Sequence, residues 1–312
     1  MKKHTAGIHH ITAIVEHPQE NIDFYTGVLG LRLVKKTVNF DDPGTYHFYF
    51  GNEWGKPGTI ITFFPWPGAY QGRIGDGQVG VTTYVVPVGA MEFWKKRLDK
   101  FNIAYTETSR FGETYLQFKD PHGLQLELVE RESGEENSWT FGGVTKEVAI
   151  KGLGGAVLYS SLPEETTKTL IDVMGLEVVG QEGHYTRFQS TADIGNIIDL
   201  KMTKGIRGMM GVGTVHHIAW RANDNDDHLE WQEYAMNKGM YVTDVKDRNY
   251  FNSIYFREPG KILFEIATDP PGFAHDESFE TMGTRLMLPP QYEPFRDRLE
   301  ASLIPVEVRP LD

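Results

Sequence analysis

The sequence predicts an α+β fold in which four βαβββ modules build two curved-sheet cups. Three observations carry that expectation. A paired histidine opens an apolar run twice, as Ile8-His9-His10-Ile11-Thr12-Ala13-Ile14 and as Val215-His216-His217-Ile218-Ala219-Trp220. A fixed step from first strand to helix recurs in four places. A Pro-Gly type of turn precedes the closing strand in three of the four units.

After His10 an alternating strand breaks at Glu16-His17-Pro18, and Ile22, Tyr25, Val28 and Leu29 then follow helical spacing. Gly30 closes that helix, since a C-terminal cap favours a residue free to adopt left-handed backbone. The step from His10 to Phe24 is 14 residues (24 − 10), and it also links Val79 to Phe93, Gly155 to Thr169 and His217 to Trp231. Pro57-Gly58, Pro121-His122-Gly123 and Pro259-Gly260 each introduce a last strand. Six residues after each proline stand Phe63, Glu127 and Glu265. In the third unit Asn196-Ile197-Ile198-Asp199-Leu200 fills the place, with Asp199 at the equivalent position. The modules therefore span 7–70, 78–131, 150–205 and 213–268, grouped in chain order as domains 7–131 and 150–268. The arm 269–312 does not repeat; it is rich in proline, with one short helix expected over 295–303. One module alone exposes an apolar sheet face and needs a partner to bury it. Two pairs make two cups, as 312 residues would allow.

Composition narrows the function. Thirty-one basic against 43 acidic residues leave a net charge of −12, which lacks the basic footprint of a nucleic-acid or anionic-membrane binder. No cysteine is present, so disulfides, thiolate catalysis, Fe–S clusters and cysteine zinc sites are excluded. No stretch approaches the roughly 18 apolar residues of a membrane span, and the cytoplasm is the expected location. What remains is a small-molecule protein. Two histidines and a strand carboxylate, Glu265 within Ile262-Leu263-Phe264-Glu265-Ile266, are the donor types of a non-haem Fe(II) oxygenase. An unpaired carboxylate in such an apolar run is costly unless a cation offsets it.

The strand with His10, the helix ending Phe24-Tyr25-Thr26-Gly27-Val28-Leu29-Gly30-Leu31, and the Pro-Gly turn before a Glu-bearing strand resemble the vicinal oxygen chelate superfamily. That group includes glyoxalase I, bleomycin-resistance proteins and extradiol dioxygenases. The likeness runs to about residue 268. It implies ligands at first-strand and last-strand positions of two paired modules, here His10 and Phe63, Val79 and Glu127, Gly155 and Asp199, and His217 and Glu265. Pairing of consecutive modules would split these donors. Pairing of the first module with the last would unite His10, His217 and Glu265, and this is the arrangement expected. Neighbours on a strand face opposite ways, so only one histidine of each pair can be a ligand, and the register selects His10 and His217. The same parity puts Thr12 on the cavity face.

The chain is further similar to a branch that opens para-hydroquinones, through His9-His10-Ile11-Thr12, Tyr46-His47-Phe48-Tyr49-Phe50, Pro57-Gly58-Thr59, Arg110-Phe111-Gly112 and Tyr255-Phe256-Arg257-Glu258-Pro259-Gly260. Histidines of the catechol-cleaving type are missing, with Met202-Thr203-Lys204 and Asp247-Arg248-Asn249-Tyr250 in their places. The resemblance implies Fe(2+) held by His10, His217 and Glu265, with a small aromatic substrate and O2 as partners. It implies Tyr255 as hydrogen-bond or proton donor, His9 or His216 as general base or holder of the far hydroxyl, Arg248 against oxyanion charge, and Thr12 at the substrate. A homodimer is expected from the same likeness, and the arm either caps the pocket or clasps a second subunit. Two other readings stand beside it: a metal-dependent lyase or isomerase of glyoxalase type, and an aromatic- or antibiotic-binding resistance protein.

Overall fold

The structure, a computed structural model, describes residues 2–311. The first module supplies β1 (Ile8–Val15), β2 (Arg32–Val38), β3 (Tyr46–Gly51) and β4 (Ile60–Pro65), with helix α1 (Pro18–Ile22) running on into a π-helical turn, Asp23–Val28. The second supplies β5 (Gln78–Val86), α2 (Met91–Lys100), β6 (Tyr105–Arg110), β7 (Glu113–Lys119) and β8 (Gln125–Glu130). The third has β9 (Gly152–Tyr159), α3 (Pro163–Lys168), β10 (Glu177–Glu182), β11 (Tyr185–Gln189) and β12 (Ile197–Lys201). The fourth has β13 (Thr214–Ala222), α4 (Asn225–Asn237), β14 (Lys246–Asp247), β15 (Asn252–Arg257) and β16 (Leu263–Thr268). Gly30 caps the first helix at φ +71°, and α5 (Arg296–Ser302) is the short helix of the arm.

Within a module the first strand lies parallel to the last, β1 to β4 and β13 to β16. Parallel neighbours need a crossover, and the helix provides it on the outer face. Two eight-stranded sheets result, in the orders β14-β15-β16-β13-β1-β4-β3-β2 and β10-β11-β12-β9-β5-β8-β7-β6. The first sheet therefore joins the first module to the last, and the second joins the middle two. A division at 131/150 follows chain order but runs across both sheets. The connectors explain how the chain returns. Residues 66–77 leave the first sheet and 202–213 come back beside them, with Arg73 and Met209 exchanging backbone hydrogen bonds of 2.8 Å each way.

At the centre of the first sheet β1 and β13 run antiparallel, pairing Thr12 with His217 and His10 with Ala219. This reciprocal pairing makes the two strands equivalent about a local twofold. Outward-facing side chains such as Phe50 and Phe63 pack with Tyr25 from the first helical segment, leaving the opposite face to line the cup.

The arm crosses from the fourth module, where Tyr250 bonds to Gly272 and Asp276, onto the first. Met287 donates to the Lys36 carbonyl at 2.9 Å, covering the β2 edge that would otherwise offer unpaired backbone to another chain. Lys35, wholly buried, reaches Asp276 and Glu277 of the arm at 2.6 Å each. Among the described residues no helix is long and apolar enough to cross a membrane.

Candidate metal centre

The strand ladders correct two positions read from spacing. In the fourth module Glu265 is level with Ala219, and in the first Thr62 is level with Thr12. Because Thr12 and Ala219 are equivalent, the counterpart of Glu265 is Thr62 and not Phe63. The loop after Pro57 reaches its ladder one residue sooner, so parity sends Phe63 to the outer core. In the second module Glu127 is level with Thr83, which makes Val81 and not Val79 the counterpart of His217. The longer break before α2 absorbs the two-residue difference.

His10, His217 and Glu265 meet at the floor of the first cup, all three buried. His217 Nε2 lies 2.7 Å and His10 Nε2 3.4 Å from Glu265 Oε2, and the two nitrogens are 3.4 Å apart. Donor atoms bonded at about 2.0–2.2 Å to one centre stand roughly 3 Å apart, so this triangle has the size of a metal-binding face. Glu265 Oε1 accepts a hydrogen bond from Ser253, whereas Oε2 is buried without a hydrogen-bond donor. An acceptor-only cluster of this kind is what a cation resolves. It is also the one such cluster of three donors among the described residues.

Each ligand-type histidine is backed by its neighbour. His10 Nδ1 is 2.9 Å from His9 Nδ1, and His217 Nδ1 is 2.8 Å from His216 Nδ1. Burial, then the adjacent ligand-type histidine, holds His9 well below the usual imidazole range and His216 down to about 3. Both are therefore neutral acceptors at pH 7. A proton on Nδ1 of His10 and His217 satisfies them and leaves each Nε2 lone pair facing the floor.

Above this floor lies a cavity of about 240 Å3, walled by Phe64, Trp66 and Phe251 and reached by Tyr255, Arg248 and His216. Arg248 Nε donates to the Tyr255 oxygen at 3.2 Å. Burial, then Glu265, raises the Tyr255 phenol well above its ordinary value, with Arg248 opposing in part. Of the residues expected at the substrate, Thr12 is wholly buried and its hydroxyl meets Thr62 Oγ1 at 2.8 Å. Thr62 in turn meets His47 Nε2 at 2.8 Å, and His47 Nδ1 meets the Tyr49 hydroxyl at 2.9 Å. His9 lies behind His10. His47 and Tyr49 belong to a segment that carries the resemblance but have no role assigned from sequence, and Thr62 and Ser253 go unmarked there, although parity is a usable signal: His47 and Tyr49 share a face of β3, as Ser253 and Tyr255 do on β15. Ser253→Ala is expected to weaken binding of a divalent cation by about 10–100-fold, read by competition with a chelating dye; unchanged affinity would mean that the serine does not orient Glu265.

The second cup shows what the same positions become without such a cluster. Val81 and Gly155 replace the histidines, while Glu127 and Asp199 occupy both carboxylate positions. Arg110 lies between them, its Nε 2.6 Å from Asp199 and its Nη1 3.1 Å from Glu127. Thr83 and Gln117 complete Glu127, and Arg187 completes Asp199 at 2.7 and 2.9 Å. A guanidinium supplies the positive charge there. A larger groove of about 750 Å3 lies between Phe24, Phe101 and Phe118, away from the first cup, but no triad of donors converges in it. Size alone therefore does not select the site.

Comparison with known proteins shows the family and the fold. Residues 7–128 and 152–266 match the Glyoxalase/Bleomycin resistance protein/Dioxygenase superfamily. The chain is 70% identical over 312 residues, all of both chains, to the "Putative ring-cleaving dioxygenase MhqO" of Bacillus subtilis (strain 168). It is 36% identical over 305 residues, 94% of each chain, to a chlorohydroquinone/hydroquinone 1,2-dioxygenase of Sphingobium indicum. A crystal structure from Bacillus subtilis subsp. subtilis str. 168, 70% identical, superposes with a TM-score of 0.98 over 99% of this chain and all of that one.

Proposed function

Since the chain belongs to the Glyoxalase/Bleomycin resistance protein/Dioxygenase superfamily, we propose that it is an Fe(II)-dependent dioxygenase that opens a para-hydroquinone ring with O2. The observation that carries this reading is the floor of the first cup, where two imidazole nitrogens and an unpartnered carboxylate oxygen converge beneath an aromatic-walled cavity. A dry cavity of about 150 Å3 already accepts benzene, so about 240 Å3 has room for one substituted ring. The relatives named as hydroquinone and ring-cleaving dioxygenases support the substrate class.

His10, His217 and Glu265 would hold the metal on one face. Bound there, Fe(II) would supply Lewis-acid and redox chemistry toward a ring hydroxyl and dioxygen. The chain's own groups do the rest. His9 and His216 fix the tautomer of His10 and His217, and Ser253 leaves Oε2 of Glu265 as the free donor. The Tyr255 oxygen is occupied by Arg248, so its own hydrogen is the one available to the cavity, and burial keeps it protonated at neutral pH. Arg248 adds positive charge where an oxyanion develops. Phe64 and Phe251 wall the ring and exclude water. A four-ligand site of glyoxalase type is less well supported, because Thr62 stands at the fourth position with its hydroxyl engaged by Thr12 and His47.

Chelator-stripped protein reloaded anaerobically with Fe(II) is expected to regain oxygen uptake with hydroquinone, one O2 consumed per ring opened. Conversion of a substrate by Zn(II)-loaded protein with no oxygen consumption at any loading would sink the dioxygenase reading.

A further inference from the structure

The mouth of the first cup is roofed by the loop 39–45, between β2 and β3. Asn39 shapes the loop: its side chain accepts from the Asp41 backbone N–H at 3.0 Å, and its carbonyl from Asp42 at 3.2 Å. Three tethers from different parts of the chain hold it over the cavity. Trp66 Nε1 donates to Asp42 at 3.3 Å, the Tyr292 hydroxyl of the arm donates to the Phe40 carbonyl at 2.7 Å, and Arg248 Nη2 meets Asp41 Oδ2 at 3.0 Å.

Among the described residues Arg248 is the one lysine or arginine lining the cavity, and Asp41 and Asp42 line it as well. An unpaired arginine beside an aromatic pocket is a receptor for carboxylate or sulfonate, which it binds through two parallel donors. Here Nη2 is taken by Asp41 and Nε by Tyr255. Three of the five Arg248 N–H donors stay available to a hydroxyl, but the Asp41 carboxylate already offsets the guanidinium charge that an anionic substituent would be drawn to. The two aspartates also repel an incoming anion, and discrimination by charge repulsion needs no closer fit to the favoured ligand.

Resting on the hydroquinone reading, we propose that the site selects uncharged single-ring para-diols and that Asp41 is the residue enforcing this selection, by engaging Arg248 from across the mouth. Asp41 is a positioning residue, not a catalytic one. Its side chain is 73% exposed, so its replacement leaves the core untouched.

The test is anaerobic calorimetric titration of the Fe(II)-loaded protein with methylhydroquinone and with 2,5-dihydroxybenzenesulfonate, the same diol bearing a permanent anion. The wild type is expected to favour the uncharged ring by about tenfold or more. Asp41→Asn keeps the shape but removes the charge, and should narrow that ratio by about fivefold through tighter sulfonate binding. Asp41→Ala should do the same, and Asp41→Glu should restore the preference. A ratio unchanged within about twofold in Asp41→Asn overturns the inference. If oxygen uptake with methylhydroquinone persists in that case, the proposed function stands without it. Equal binding of both rings by the wild type also overturns it, and binding of neither overturns it together with the ring-substrate reading.

Discussion

Glu265→Gln is expected to abolish oxygen uptake and, with it, the stabilisation that a bound cation confers. Glu265 is wholly buried and contributes the one carboxylate of the three-donor cluster, with Oε2 open toward His10 and His217. Changes behind a ligand already cost about 10–100-fold in metal affinity, so loss of a direct anionic donor should exceed that range. The thermodynamic signature follows from linkage. A cation present at about 100 times its dissociation constant stabilises the native state by about 2.7 kcal/mol. Thermal unfolding of the wild type should therefore shift on chelation and on reloading, while Glu265→Gln should not respond to either. A variant whose melting temperature still follows added Fe(II), or which still turns over, would remove Glu265 from the site. A protein that merely binds an aromatic compound should keep that affinity in Glu265→Gln, so the same variant separates an enzyme from a sequestering protein.

Arg110→Met is expected to destabilise the protein by about 3–5 kcal/mol while leaving the response to metal intact. The guanidinium is the shared partner of Glu127 and Asp199, both buried at the heart of the second cup. Removing one member of a buried ionic group leaves the others desolvated without compensation, which costs far more than the intact group contributes. Glu127 would retain only Thr83 and Gln117 as donors. Combining Arg110→Met with Glu127→Gln should recover part of the loss, because the second change removes the stranded charge. Denaturant midpoints of the two variants, each with and without Fe(II), would show both effects. A loss below about 1 kcal/mol for Arg110→Met would mean that the cluster relaxes around water, and the guanidinium would not be the second cup's substitute for a cation.

Parity and the recurrence of first-strand, helix and Pro-Gly turn are local properties, and they made most of the fold readable. Four modules, the cap at Gly30, the short helix near Phe295 and the candidate donors His10, His217 and Glu265 all follow from patterns spanning a few residues. Where the reading slipped, a count along the chain stood in for a ladder in space. Six residues after a proline lead to Glu265 in one module and to Phe63 in another, yet the ladder puts Thr62 opposite Thr12. A one-residue difference in a turn reverses which side chain faces the cup, and no count along the chain reveals it.

The residues that complete the site come from strands and a loop far apart in sequence, and strand parity is the one pattern that hints at any of them. Ser253 behind Glu265, His47 beneath Thr62, and Asp41 across the mouth from Arg248 are hydrogen-bonding side chains of ordinary kinds. Only pairing of β1 with β13 brings the first and last modules into one sheet, and only the paired connectors at Arg73 and Met209 return the chain to make that pairing. The residue pattern alone thus establishes the repeated module and the donor types. The expected pairing of the first module with the last is what the sheet order shows, and the tertiary structure decides how the second cup fills its equivalent positions with arginine. The physical reason is that periodicity records each strand's burial, whereas the site is an agreement among strands that meet only once the sheets close.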